Sequence, residues 1–94
     1  DYCEPTYWLY TILLPEGTTL EVRRRTIERL NRAGVEARSL WHPLHALPPY
    51  THCEAYEIEA SLRLFERSIS LPSSVGMSDA DLERCVSLCR ENLV

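Results

Sequence analysis

Three prolines, Pro43, Pro48 and Pro49, constrain this chain more than any other feature. Proline fixes φ and donates no backbone hydrogen bond, and it turns the preceding residue away from helix. No continuous helix can therefore run through Arg38-Ser-Leu-Trp-His-Pro-Leu-His-Ala-Leu-Pro-Pro-Tyr50. The stretch reads as a stiff loop, extended or turned, that follows a short apolar run ending at Trp41. It carries two imidazoles and a phenol besides the indole. Loops of this kind, leaving the end of a strand, are where α/β proteins often place binding residues.

The remaining elements are expected to pack around that loop. Tyr7 to Leu14 is rich in aromatic and branched residues and is stopped by Pro15-Glu-Gly17, which predicts a buried strand. Thr18 with Glu21 fits a capping box, so a helix is expected from near Thr19, with Leu20, Ile27 and Leu30 as its core stripe. Gly34 ends it as a left-handed residue. Arg23, Arg24, Arg25, Arg29 and Arg32 are then placed on its outer faces, where a phosphate site competes with a plain solvated surface balanced by Glu21, Glu28 and Glu36. Val35 to Trp41 is a second strand. From about His52 to Arg67, the spacing of Ile58, Leu62 and Phe65 predicts a second helix. Ser68 to Leu71 allows a brief strand, and Ser78 with Asp81 caps a last helix whose apolar face is Leu82, Cys85, Val86, Cys89 and Leu93.

Alternation of strands and helices predicts a small α/β sandwich, with helices covering one face of a three- or four-stranded sheet. Residues 1–94 are expected to form a single domain, since a chain of 94 residues has room for one core. Trp8, Tyr10, Trp41, Leu44 and Leu47 exceed what such a core can hold, so an exposed apolar patch suited to docking is expected.

Composition excludes several functions. The formal charge of −4 argues against a nucleic-acid binder, which needs a concentrated basic surface. No apolar run approaches the roughly 20 residues of a membrane span. All ten basic residues are arginines, so no side chain here can form a Schiff base with a carbonyl or with pyridoxal phosphate. The chain opens at Asp1 with no secretory signal, which predicts a cytoplasmic protein and a piece of something longer. The four cysteines are then expected as free thiols. Cys85 and Cys89 share a helix face and, with His42, His45 or Cys53, offer a metal site; the competing reading makes them part of the apolar stripe, because a single C-x3-C lacks the paired spacing of zinc motifs.

The order of elements, together with Tyr7-Trp-Leu-Tyr-Thr-Ile-Leu-Leu14, Gly34-Val-Glu-Ala-Arg-Ser-Leu-Trp-His-Pro-Leu-His45 and Ile69-Ser-Leu-Pro-Ser-Ser74, resembles the C-terminal small domain of the DegT/DnrJ/StrS family. The likeness runs from about Tyr7 to the end of the chain. It implies a parent enzyme of aspartate-aminotransferase fold that works as a homodimer and moves an amino group from glutamate onto a keto-sugar carried by a nucleotide diphosphate. In the family the pyridoxal phosphate and its Schiff-base lysine belong to the large domain, so this chain would hold neither cofactor-binding nor catalytic residues, and the large domain would be its partner.

Carried over residue by residue, the resemblance puts Trp41 and His45 at the cleft edge near substrate, Arg38 at the end of the incoming strand and Tyr50 at the close of the loop. Where family members often have an Arg-Pro pair, Ser39 follows Arg38 here. Each residue also has a packing alternative: interdomain contact for Trp41, a backbone cap for His45, pairing with a nearby glutamate for Arg38. Leu71-Pro-Ser-Ser74 is expected to shape the turn into the last helix. A non-catalytic α/β binding or interaction module, acting through a Trp8/Trp41 patch, is the alternative to the enzyme fragment.

Overall fold

A computed structural model describes residues 2–93. Strand β1 (Tyr10–Leu13) leads into helix α1 (Leu20–Arg32), then strand β2 (Arg38–Ser39), the proline loop, helix α2 (Glu59–Arg67), strand β3 (Ser68–Leu71) and helix α3 (Asp79–Asn92). The three strands form one sheet in the order β1-β3-β2, with β3 antiparallel to both neighbours. This is a small α/β domain, as the alternation predicts.

Local chemistry explains each boundary. The cap of α1 is Thr19, one residue later than the box read from Thr18: the Thr19 hydroxyl accepts from the Val22 N–H at 3.3 Å, while Thr18 donates to the Pro15 carbonyl at 2.7 Å. Gly34 ends the helix at φ +93°, with the Val35 N–H on the Leu30 carbonyl and the Gly34 N–H on that of Asn31. These two bonds make a Schellman closure. The Ser78 hydroxyl caps α3 by accepting from the Asp81 N–H at 3.2 Å.

Three elements are shorter than predicted. Tyr7 has φ +51°, a left-handed conformation that breaks the extended run, and pairing begins only at Tyr10. The β1 residues are mostly exposed rather than buried. Glu57 has φ +50°, which holds back α2 to Glu59. The second strand keeps only two residues because Ala37 is already paired elsewhere: its N–H donates to the Asn31 Oδ1 at 2.8 Å, and its carbonyl accepts from Asn31 Nδ2 at 3.1 Å. The side-chain amide of α1 thus takes the place of a neighbouring strand.

One face of the sheet is apolar. Ile12, Ile69 and Leu71 pack there against Leu30 and Ile27 of α1 and Cys85, Leu88 and Cys89 of α3, with Leu14, Val35 and Ala37 closing the core. The opposite face is small and polar: Thr11 and Ser70 sit side by side with hydroxyls 3.3 Å apart, and Arg38 pairs in register with Ser70. On α1 the buried residues are Arg23, Thr26 and Leu30, whereas Leu20 is exposed, which corrects both the predicted stripe and the placement of Arg23 outside. Leu82 and Val86 of α3 are likewise exposed, beside a groove.

Candidate functional site

The loop between β2 and α2 is built from two short 3-10 turns, Leu44–Ala46 and Pro48–Tyr50. Each follows from a proline: Pro43 precedes the first with ψ 134°, and Pro48 opens the second. The Ala46, Leu47 and Tyr50 N–H groups donate to the carbonyls of Pro43, Leu44 and Leu47, so the loop satisfies much of its own backbone. Trp41, Leu44 and Tyr50 are exposed on it, whereas Pro43, His45 and Leu47 are half-buried.

Arg38 lies on β2, exposed, with its guanidinium ion-paired to Glu36 two residues earlier. Trp41 is 73% exposed, and its ring meets that of Trp8, equally exposed, at a centroid distance of 6.0 Å and a tilt of 41°. Trp8 also lines a shallow depression with Arg38, Ser70 and Ser73. Trp8 thus meets Trp41 and borders the same depression as Arg38. His45 is half-buried in the first turn, and Tyr50 is exposed at the end of the second. Among the described residues no hydrogen bond, ion pair or ring contact links any two of Arg38, Trp41, His45 and Tyr50 directly.

His42 is exposed on one side and lies with its ring 4.9 Å from that of Phe65. Phe65 also carries the Arg23 guanidinium, whose carbon is 4.4 Å from the ring centre and which donates to the Phe65 carbonyl. Burial lowers the Arg23 pKa, with the Glu66 charge opposing. This stack anchors α2 to α1 beneath the loop. On the outer side of α1, the Arg24 and Arg25 guanidiniums hydrogen-bond Glu21 and hold its carboxyl down at about 2, so these arginines are committed to their own helix.

The largest concavity lies elsewhere. A groove of about 840 Å³ runs between Tyr10 and Ile12 of β1 and Leu82 and Val86 of α3, with Leu93 just past that helix. None of the four candidate residues lines it. Its lining is mainly apolar, with Ser73, Ser74 and Arg90 as its polar members besides two tyrosines. The face with Trp8, Arg38 and Trp41 instead sets a guanidinium beside two exposed indoles.

Cys85 and Cys89 line that groove, and Cys89 is buried. Burial first, then the charge of Cys85 and a hydrogen bond with it, push the Cys89 thiol up to about 11. Among the described residues there is no group of three or more His, Cys, Asp or Glu side chains able to hold a metal ion. The free thiols of Cys3 and Cys53 are exposed. No helix among the described residues is long and apolar enough to cross a membrane.

The model of the DegT/DnrJ/EryC1/StrS aminotransferase family matches residues 3–90. The chain belongs to this family. It is 31% identical over 88 residues to GDP-perosamine synthase of Caulobacter vibrioides, a match covering 94% of this chain and 24% of that protein. It is also 32% identical over 85 residues to EpsN of Bacillus subtilis, whose name gives it as a candidate pyridoxal phosphate-dependent aminotransferase; the match covers 86% of this chain and 21% of that one. The chain thus spans no more than 24% of the length of these relatives. Trp8, unassigned in the reading of the loop, falls inside the matched residues. The signal that singles it out is its excess over what the core can hold.

Proposed function

We propose that this chain is the small domain, residues 1–94, of a pyridoxal phosphate-dependent aminotransferase that moves an amino group from glutamate to a keto-sugar on a nucleotide diphosphate. The family match over residues 3–90 carries this reading, and the name of the Caulobacter vibrioides relative supports a nucleotide-linked sugar. The cofactor belongs to a large domain outside this chain. The donor set here does not fit it: the chain contains no lysine to form the Schiff base. The parent enzyme is a cytoplasmic homodimer in this proposal, with neither nucleic acid nor membrane as partner.

Within the small domain, Arg38, Trp41, His45 and Tyr50 face the nucleotide sugar. The Trp41 indole offers an apolar plane to a sugar ring, and the Arg38 fork suits a diphosphate once it is released from the exposed pair with Glu36. His45 offers a neutral hydrogen bond to a hydroxyl. None of these residues is asked to move a proton.

The test is kinetic. In the full-length enzyme, His45→Ala is expected to raise KM for the nucleotide sugar by up to roughly tenfold, the equivalent of one lost hydrogen bond of about 0.5–1.5 kcal/mol, and to leave the glutamate half-reaction almost unchanged. A fall of about a hundredfold in kcat for both half-reactions would instead make His45 an acid–base group. The division of labour is checked on this chain alone: reduced with borohydride in the presence of pyridoxal phosphate, it is expected to carry no stable label on any side chain. A side-chain adduct would refute it.

A further inference from the structure

We propose that Trp8 is a positioning residue of the nucleotide-sugar site, holding the Trp41 ring in the one orientation it presents to substrate. The inference rests on the reading of Trp41 as a substrate residue. Trp41 stands on an irregular loop, 73% exposed, and the one ring contact found for it among the described residues is Trp8, 6.0 Å away. An exposed indole on such a loop has several open rotamers, and an offset aromatic pair is what removes them.

Trp8 can do this because its own backbone is fixed from two sides. Its carbonyl accepts from the Ser73 hydroxyl at 2.8 Å, just past the end of β3. On the other side Tyr7 adopts φ +51°, which sets the direction in which the chain enters residue 8. The same indole borders the depression that contains Arg38 and Ser70. Trp8 therefore stands between the sheet and both candidate ligand residues, and Ser73 acts through its backbone.

Two measurements test the proposal. In this chain, paired indoles give an exciton couplet in far-ultraviolet circular dichroism, expected to vanish equally in Trp8→Ala and Trp41→Ala and to persist in Tyr56→Ala, an exposed aromatic outside the pair. A couplet that survives Trp8→Ala overturns the proposal. In the full-length enzyme, Trp8→Ala is expected to raise KM for the nucleotide sugar about three- to tenfold with kcat changed less than about twofold, the range set by an aromatic pair. The double variant is expected to be no worse than Trp41→Ala, as coupled neighbours require. Trp8→Phe, which keeps a ring and guards against a simple failure to fold, should return KM to within about twofold of the parent. Additive losses in the double variant, with Trp41→Ala alone raising KM, overturn the role of Trp8 and leave Trp41 standing. No change in Trp41→Ala removes Trp41 from the site, and the role of Trp8 with it.

Discussion

The Arg23 guanidinium sits over the Phe65 ring and donates to the Phe65 carbonyl in a place only 8% exposed. A buried charge held by one hydrogen bond and one ring is expensive to disturb. Arg23→Ala is expected to cost roughly 1.5–3 kcal/mol, the range for a hydrogen bond to a charged group, read as a lower urea midpoint. Arg24→Ala, by contrast, removes only exposed pairs with Glu21 and Glu28 and should leave the midpoint unchanged. Both are arginines of one helix in a run of three, and composition does not tell them apart. The observed inward positions do: Thr26, Ile27 and Leu30 share the face of residue 23, but an arginine there reads as surface until its ring partner is known. Cys89 shows the same dependence on surroundings. Folding favours its neutral thiol and raises its pKa from 9.0 to about 11, so its contribution is complete below pH 9 and is lost as pH rises through about 11. Between those limits the parent chain should lose stability faster than Cys89→Ala, measured as thermal midpoints at each pH.

At the scale of elements, capping chemistry carried most of what was legible. Gly34 and Ser78 end and begin their helices as the sequence indicates, because their signals are local and have one geometric solution. Gly34→Ala should therefore cost about 1–2 kcal/mol in an equilibrium melt: a Cβ there meets only Arg84 Nη2 at 3.5 Å, so the loss is the strain of φ +93° and not a clash. Strand lengths were not legible, since they depend on partners distant in sequence. Asn31 takes the backbone of Ala37, and nothing in either residue type announces it. Helix faces were half legible. The α3 stripe is apolar throughout, but among the described residues only Cys89 is buried, while Leu82 and Val86 line the open groove opposite Tyr10 and Ile12. Leu30→Ala, from a fully buried position, is expected to cost about 2–5 kcal/mol. Val86→Ala, at 40% exposure, should cost under about 1 kcal/mol.

For the whole molecule, size and shape disagree in an instructive way. A self-contained domain of this length has a radius of gyration of about 12 Å, whereas this chain has 15.3 Å and extents of 47 × 35 × 24 Å. The excess goes with the surfaces left open: the tryptophan pair on one side of the sheet, the apolar groove on the other, and the proline loop with its exposed Leu44 and Tyr50. Among the described residues, seven apolar ones are buried, fewer than the sixteen large ones exposed. Hydrophobic burial scales with area removed from water, while the entropy lost on ordering scales with the number of residues fixed. A chain that fixes its backbone yet leaves much apolar area wet should sit at the low edge of domain stability. Urea unfolding of the isolated chain is therefore expected to give no more than about 5 kcal/mol, with an m-value below that of compact domains of equal length, because less surface is newly exposed. On the proposed function, the same segment should unfold at higher urea within the full-length enzyme, where a large domain would cover these faces. A steep transition in the isolated chain well above about 5 kcal/mol would show instead that the open faces are tolerated without a partner, and would favour an independent binding module acting through Trp8 and Trp41.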